Sequence, residues 1–208
     1  MKQSTPIRIT SMALLTLALT GCGFGQGSAA PSATTTAPVQ APNATTAPEG
    51  QRIPGGKATW LSNLPDPSKT DTGDSVAVAT DYTIASHTWD TATDLTDAYA
   101  VQRAALWGTP ELRQLEDEYD ADQARGQATF NDEASHRTWT SVKVTSTGRD
   151  GVAASPDQDA ITVNWTMTLH RRDNTKAKAS SGTDDVLLVK ATDGRWQVQN
   201  SSSRQDVQ

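Results

Sequence analysis

The segment Ala160–His170 reads AITVNWTMTLH, and its alternation of apolar and polar residues decides the fold. The apolar residues occupy every second position: Ile161, Val163, Trp165, Met167 and Leu169. Because successive side chains of a strand point to opposite faces, this period of two predicts a β-strand with one apolar face and one polar face. Other elements of the same domain are expected to cover the apolar face.

The chain on both sides of this strand shows a related pattern. Arg137–Ser146, RTWTSVKVTS, is strand-like, and Asp184–Gln199, DDVLLVKATDGRWQVQ, contains two strand-like runs separated by Thr192–Gly194. A short connection containing glycine between two such runs predicts a β-hairpin. The C-terminal part of the chain is therefore expected to form at least four antiparallel strands.

Before the strands, the apolar period changes to that of a helix. Val78, Tyr82, Ala85 and Trp89 are separated by four, three and four positions. This spacing places them in one stripe along a helix that begins at Asp74. A helix with one apolar stripe is suited to packing against the apolar face of a sheet.

Two further helices are predicted downstream. One spans about Thr96–Trp107 and ends before a glycine, which suits a C-terminal cap. The other begins at Thr109 with Pro110 in its first turn, a combination typical of helix N-termini, and directs Leu112 and Leu115 inward. Three helices followed by an antiparallel sheet with one apolar face predict the α+β class.

The N-terminus has the layout of a secretory signal. Lys2 and Arg8 precede the apolar run Ser11–Gly21, SMALLTLALTG, and a positively charged start before a short apolar run is typical of exported proteins. A membrane span requires about 20 apolar residues, so this run is too short to cross a bilayer. An ordinary signal peptidase site at Ser28–Ala30, SAA, is one alternative for the position of cleavage.

The leader ends in Leu19, Thr20, Gly21 and Cys22, and Cys22 is the single cysteine of the chain. These four residues resemble the lipobox of bacterial lipoproteins. The resemblance implies that residues 1–21 are removed as a signal peptide and that the Cys22 thiol carries a diacylglycerol, with acyl chains such as palmitate. Because two or three acyl chains hold a protein firmly at a membrane, the expected location is the outer face of the cytoplasmic membrane.

Composition divides the rest of the chain into a tether and a domain. Residues 22–56 are mostly small residues, Thr and Pro without apolar periodicity, which predicts a disordered tether. All six tryptophans follow it, so one domain is expected over residues 57–208. The formal net charge of −6 disfavours nucleic acid as a partner, because an acidic surface repels phosphate.

The order of motifs in the domain resembles the nuclear transport factor 2-like fold, a cone of helices and a curved antiparallel sheet. The resemblance covers about residues 74–200, with a first helix ending in Thr88–Asp90, TWD, and a last hairpin containing Asp193–Val198, DGRWQV. The run Thr88–Leu112, TWDTATDLTDAYAVQRAALWGTPEL, is similar to envelope proteins of actinobacterial integrative conjugative elements. Related modules of type IV secretion systems are assembly subunits. The resemblance thus implies an interaction module for other envelope proteins, accessory to a conjugation or secretion apparatus.

The sequence contains no motif for catalysis or metal binding. His87, His136 and His170 lack the close spacing of zinc ligands. The acidic run Glu116–Asp122 is not followed by the closing glutamate of a calcium loop. There is also no nucleophile elbow, metalloprotease helix or phosphate-binding loop. Neither an enzyme nor a cofactor is therefore expected from motifs.

The alternative is a cone that holds a small molecule. In some relatives of the fold, such as polyketide cyclases and steroid isomerases, the cavity contains an acid or a base. The candidate cavity residues here are Tyr82, Trp89, Asp90, His136 and Trp165. An open cavity of about 300 Å³ or more with convergent polar groups would favour ligand binding. A cone filled by aromatic side chains would favour the interaction module.

Overall fold

The computed structural model describes residues 45–149 and 155–206. Within these ranges the chain forms four α-helices and then four β-strands. The helices are α1 Ser75–Ser86, α2 Ala98–Ala104, α3 Pro110–Glu118 and α4 Ala128–Ala134, and the strands are β1 Trp139–Gly148, β2 Gln158–His170, β3 Ser180–Lys190 and β4 Trp196–Gln205. The predicted α+β class and the antiparallel sheet are confirmed.

The predicted signal peptide, residues 1–21, and the lipobox that ends at Cys22 lie outside the described residues. The same holds for residues 22–44 of the predicted tether. In the part of the chain that the structure describes, no helix has the length and apolar character needed to cross a bilayer.

The four strands form one curved antiparallel sheet in the order β1-β2-β3-β4. β2 is its longest strand, and the register places Trp165 opposite Gly182 on β3. The ladders are interrupted between Val144 and Ser146 on β1 and after Leu187 on β3. Irregularities of this kind bend and twist a sheet, which accounts for its curvature.

The apolar face predicted for β2 is confirmed. Leu169 at its end is partly buried, and four positions are buried: Ile161, Val163, Trp165 and Met167. α1 lies across this face of the sheet and contacts all four strands. Val78, Tyr82 and Ala85 from the predicted helical stripe join Ile161 and Val163 in the main core.

α1 begins where the sequence predicts and ends earlier. The Asp74 side chain accepts a hydrogen bond from the Val76 backbone N–H and so caps the N-terminus of the helix. The helix ends at Ser86, and His87 follows as its C-terminal cap. Trp89 therefore lies in the next loop rather than on the helical stripe, and it packs against Phe130 on α4.

The two helices predicted next are both present. α2 continues into a 3-10 turn over Ala105–Trp107, and the Thr109 hydroxyl accepts a hydrogen bond from the Leu112 backbone N–H at the start of α3. The prediction that Leu115 points inward is wrong, because its side chain is 64% exposed. α3 lies at the surface without a buried residue, so only Leu112 packs against the core. α4 is an element that the sequence did not predict.

The domain begins earlier than the predicted boundary after residue 56. Thr46 and Arg52 form a β-bridge, and the Ile53 side chain is fully buried in the main core. The Arg52 guanidinium also pairs with Asp117 on α3 at 2.8 Å. This part of the predicted tether thus belongs to the domain, because one buried isoleucine fixes a segment whose average composition is that of a linker.

A buried ion pair ties the loop after α1 to α2. The Arg103 guanidinium donates to the two carboxylate oxygens of Asp94 at 2.8 and 2.7 Å, and neither side chain is exposed. The same guanidinium donates to the backbone carbonyls of Thr59 and Thr88. A buried charge is tolerated when it is paired and hydrogen-bonded, so this cluster holds the loop that carries Trp89 in place.

Candidate functional site

A cavity of about 320 Å³ lies between the sheet and the helices and is partly open to solvent. Its wall is built from the end of α1 and the loop after it, from α2 and α4, and from β2 and β4. Sites for small molecules have volumes of about 300 Å³ and above. The cavity is therefore large enough to hold one.

Three aromatic side chains, together with Val101 and Met167, form the apolar part of the wall. Trp89 and Phe130 meet edge to face with their ring centroids 5.2 Å apart, and Trp165 and Met167 line the sheet side. Each of these four side chains belongs to a residue that is at most 6% exposed. Their positions are therefore fixed by packing, and together they offer ring faces and edges to a flat apolar molecule.

His87 places an imidazole in the wall of the cavity. Its Nε2 lies 3.0 and 2.9 Å from the two carboxylate oxygens of Asp184, and its ring centroid is 4.1 Å from that of Trp165. The side chain is 19% exposed. Among the described residues, none forms a hydrogen bond with its second nitrogen, Nδ1. Nδ1 is thus the nitrogen left to interact with a bound molecule.

Asp184 on β3 holds the His87 ring in place. Its side chain is 3% exposed and accepts hydrogen bonds from Trp165 Nε1 at 2.8 Å and from Ser203. Burial raises the pKa of Asp184, but the hydrogen bond and charge of His87, together with the other two bonds, outweigh burial and lower the pKa below its ordinary 3.8. A carboxylate only accepts hydrogen bonds, so Nε2 carries the proton and Nδ1 carries the lone pair of the neutral ring.

Asp97 contributes a carboxylate to the wall. Its backbone N–H donates to Gln127 Oε1 at 2.9 Å, and Gln127 Nε2 donates to the Asp97 carboxylate at 2.6 Å. This two-way pair ties the start of α2 to the segment before α4. Among the described residues that line the cavity, His87 is the one basic side chain, so the cavity is better suited to an uncharged molecule than to an anion.

Two of the five predicted cavity residues, Trp89 and Trp165, line the cavity. The structure does not bring Tyr82 to it. Tyr82 is buried in the main core, and its hydroxyl forms a 2.8 Å hydrogen bond with that of Ser201. It is a core residue because it lies on the stripe of α1 that faces the sheet.

Asp90 and His136 also lie away from the cavity. Asp90 is buried, and its carboxylate pairs with the Arg172 guanidinium at 2.7 Å. His136 Nδ1 lies 2.6 Å from the Asp173 carboxylate, where both side chains are substantially exposed. The partners of both residues, Arg172 and Asp173, are in the turn after β2.

The sequence prediction identifies neither His87 as a cavity residue nor Asp184 as its partner. The sequence does give an indication for Asp184. It lies two and four positions before Val186 and Leu188, which are buried, so all three share the buried face of β3. A carboxylate on the buried face of a strand requires a partner. His87 carries no comparable signal, since its partner is 97 residues further along the chain.

A second and more open depression of about 440 Å³ crosses β2, β3 and β4. Its polar part is an ion pair between Arg204 and Asp185 at 3.0 Å, and the rest of its lining is mainly aliphatic. None of the described residues that line it is aromatic or a histidine. The cavity of about 320 Å³, which His87 and aromatic side chains line, is therefore the better candidate for a functional site.

The three histidines are not gathered into a metal site. They bond to Asp184, Asp173 and Ser141 respectively, in three separate places. In residues 45–149 and 155–206, no group of three His, Cys, Asp or Glu side chains is arranged to hold a metal ion.

Comparison with known proteins does not assign the chain to a family. No family model matches it, and no curated protein matches it significantly. Its function is therefore inferred from the cavity and from the side chains that form it.

Proposed function

We propose that the domain binds a small, flat and uncharged molecule in the cavity, and that it does so as a lipid-anchored protein of the bacterial envelope. One observation carries the first part: Trp89, Phe130 and Trp165 line about 320 Å³ of space that the His87 ring also borders. Small-molecule sites are typically apolar with a few placed polar groups. The cavity combines aromatic and aliphatic side chains with a larger share of polar groups, and its titratable groups are His87 and Asp97.

The fold is proposed to be the nuclear transport factor 2-like cone. Helices α1, α2 and α4 and a curved sheet of four antiparallel strands leave a cavity between them, as the resemblance implies. The segment Asp193–Val198 forms the end of the last hairpin, where that resemblance expects it. The cavity and the last hairpin both support the cone fold.

The lipobox supports the second part. Acylation of Cys22 after removal of residues 1–21 would hold the protein at the outer face of the cytoplasmic membrane. In a Cys22→Ala variant we expect the loss of fatty-acid labelling and release from the membrane fraction. Membrane retention of both proteins without any label would overturn the anchor.

A calorimetric titration of the purified protein tests the cavity. The probe is 6-nitrobenzotriazole, a flat aromatic molecule, and we expect saturable binding. Val101→Trp places an indole in the cavity and should abolish binding, whereas Leu187→Trp adds the same group at an exposed position of β3 and should not. Equal binding by the two variants would show that the probe binds elsewhere.

The second candidate is an interaction module for other envelope proteins. It is favoured by three exposed apolar side chains, Leu95, Leu115 and Tyr119, which are 68%, 64% and 48% exposed. Leu115 and Tyr119 lie one helical turn apart at the end of α3, and exposed apolar groups that are adjacent mark interaction sites. A photo-crosslinking residue at position 115 in whole cells should capture a component of a conjugation or secretion apparatus. Crosslinks to the protein's own chain alone would count against this role.

A further inference from the structure

We infer that a small pocket between α3 and the start of β4 binds a phosphate group through Arg113 and Arg195. The pocket shares no lining residue with the cavity of about 320 Å³. The inference therefore depends neither on the ligand proposed for that cavity nor on the lipid anchor. The ligand class is a phosphate oxyanion, either free in solution or part of a phospholipid headgroup.

Two buried tryptophans give the pocket a fixed wall. Trp107 ends the 3-10 turn after α2, Trp196 begins β4, and both line the pocket. The indole N–H of Trp107 donates to the Thr70 hydroxyl at 2.7 Å, and the backbone N–H of Trp196 donates to the Thr72 carbonyl at 2.8 Å. A site that is already formed does not have to be ordered when its ligand binds.

The size of the pocket limits what it can hold. Its volume is about 70 Å³, which is the space of a few water molecules. Sites for whole drug-sized molecules begin at about 300 Å³. The pocket therefore suits a single compact group rather than a complete organic ligand.

The charge of the pocket is opposite to that of the chain. Arg113 on α3 and Arg195 directly before β4 both line it, and none of its described lining residues is acidic. The Lys190 ammonium adds a third positive charge nearby, since its Nζ lies 4.5 Å from the centroid of the Trp196 ring. The chain as a whole has a formal net charge of −6. A local group of cations attracts an anion to this place.

Arg113 lacks a counter-charge. Its Nη2 donates to the Leu106 carbonyl at 2.7 Å, and no carboxylate of the described residues pairs with it. Burial lowers the pKa of Arg113, and the positive charge of Arg195 lowers it further. Because an arginine stays charged in a protein, the two guanidinium groups repel each other. An anion bound between them would replace this repulsion by attraction.

Arg195 also has N–H groups that are not engaged. Its Nε donates to the Asp193 carboxylate and its Nη2 lies beside the same oxygen, both at 2.7 Å. Nη1 forms no hydrogen bond with any residue that the structure describes. The two side chains of this pair are 59% and 49% exposed, and exposed pairs contribute little to stability. Arg195 can therefore bind an anion without loss of the fold.

The presence of two guanidinium groups favours phosphate over carboxylate. A carboxylate has two oxygens, and one guanidinium fork can bind both of them. A phosphate group offers at least three strong acceptor oxygens, enough for two guanidinium groups on separate elements. The polar residues Gln51 and Thr72 also line the pocket, and their side chains form no hydrogen bond with another described residue.

Calorimetric titration with inorganic phosphate tests the pocket. All measurements use the purified full chain with Cys22→Ala, which cannot be acylated, in Tris-chloride buffer at neutral pH. We expect saturable binding of phosphate and weaker binding of acetate, the carboxylate probe. Equal affinity for the two anions would overturn the assignment to phosphate.

Variants assign the binding to Arg113. Arg113→Gln should weaken phosphate binding by about 10-fold or more, because a hydrogen bond to a charged group is worth roughly that much. Arg113→Lys retains the charge but not the fork, so its affinity should be intermediate. Arg125→Gln is the matched control, since Arg125 is exposed and does not line the pocket. Equal losses from Arg113→Gln and Arg125→Gln would show an effect of net charge and overturn the site.

Sedimentation with vesicles distinguishes the two sources of phosphate. The vesicles consist of phosphatidylglycerol or of phosphatidylcholine, and the leader residues are common to all variants. If inorganic phosphate binds and binding depends on Arg113, free phosphate is sufficient. If only phosphatidylglycerol vesicles bind, and Arg113→Gln abolishes that binding, the headgroup is the source. If neither phosphate nor vesicles bind in an Arg113-dependent way, the inference is overturned.

The outcomes are independent of the ligand cavity. Arg113→Gln should bind 6-nitrobenzotriazole like the wild type, because Arg113 does not line the cavity of about 320 Å³. Loss of the phosphate site alone thus leaves the proposed function intact. Circular dichroism identifies a variant that has not folded. In that case Arg195→Gln, which breaks only an exposed pair, decides the inference by the same loss of affinity.

Discussion

The indole of Trp165 on β2 lies directly over the bare backbone of Gly182, its partner on β3. A Cβ atom on Gly182 would lie 2.4 Å from Trp165 Cζ2 and 2.6 Å from the carbonyl oxygen of Arg204, closer than real Cβ contacts allow. The missing side chain therefore creates the space in which Trp165 contacts His87 and donates to Asp184. A glycine in a strand often marks such a close approach.

Gly182→Ala should therefore disturb both the core and the cavity. We expect a loss of about 1–3 kcal/mol in the free energy of unfolding, as is typical of overpacking, and weaker binding of 6-nitrobenzotriazole because Trp165 has to move. Urea denaturation and calorimetry measure the two effects. Gly148→Ala is the control, since no atom of the described residues, apart from Gly148 and its chain neighbours, lies within 4 Å of the added Cβ. Equal effects of the two substitutions would contradict the role of Gly182.

Asp94→Asn should be among the most destabilising polar substitutions. It leaves the guanidinium of Arg103, which is 0% exposed, without its counter-charge. Breaking one partner of a buried ion pair costs about 3–5 kcal/mol, measured as the change in the free energy of urea unfolding. Asp193→Asn removes a carboxylate from the exposed pair with Arg195 and should change stability little. If the two variants are equally stable, the buried pair does not hold the loop as inferred.

Acid should destabilise the domain through two carboxylates with lowered pKa values. Burial raises the pKa of both, but His87 beside Asp184, and Arg149 with Ser75 beside Asp159, outweigh burial and lower each pKa below 3.8. The unfolded chain therefore takes up these protons first as the pH falls. The stabilisation is complete above the ordinary pKa and is lost as the pH falls through the lower folded-state values.

Urea unfolding at a series of pH values measures this loss. We expect the free energy of unfolding to decrease as the pH falls below 3.8, the ordinary value for these side chains. Asp159→Asn removes one of the two groups, so its stability should depend less on pH than that of the wild type. An identical dependence in the variant would exclude Asp159 as a source of the acid sensitivity.

Local features of the fold could be predicted from the sequence. The alternation in β2, the Thr109 cap of α3 and the turn at Gly194, whose φ is +85°, each depend on a few consecutive residues. α4 has neither a capping side chain nor a repeated apolar stripe, so nothing local marks it. Leu115 has the spacing of a core residue but is exposed, because the position of α3 on the surface is a tertiary property.

The candidate site depends on contacts that are not local. His87 meets Asp184 because the register of β2 and β3 places Trp165 and Asp184 next to the end of α1. Strand register is decided by the whole sheet, and a shift of one residue would turn every side chain to the opposite face. The sequence could therefore indicate that the buried carboxylate needs a partner, but not which histidine would provide it.

The position at which the domain begins also depends on contacts that are not local, and it can be tested at Ile53. Its side chain is fully buried in the main core, so Ile53→Ala should lower the free energy of unfolding by about 2–5 kcal/mol, as measured in urea. Leu95→Ala is the control, because Leu95 is 68% exposed and surface substitutions usually change stability by no more than about 0.5 kcal/mol. If the two variants are equally stable, residues 45–56 belong to the tether and not to the domain. A clear difference requires that the domain include them, since a side chain in a free linker has no core contacts to lose.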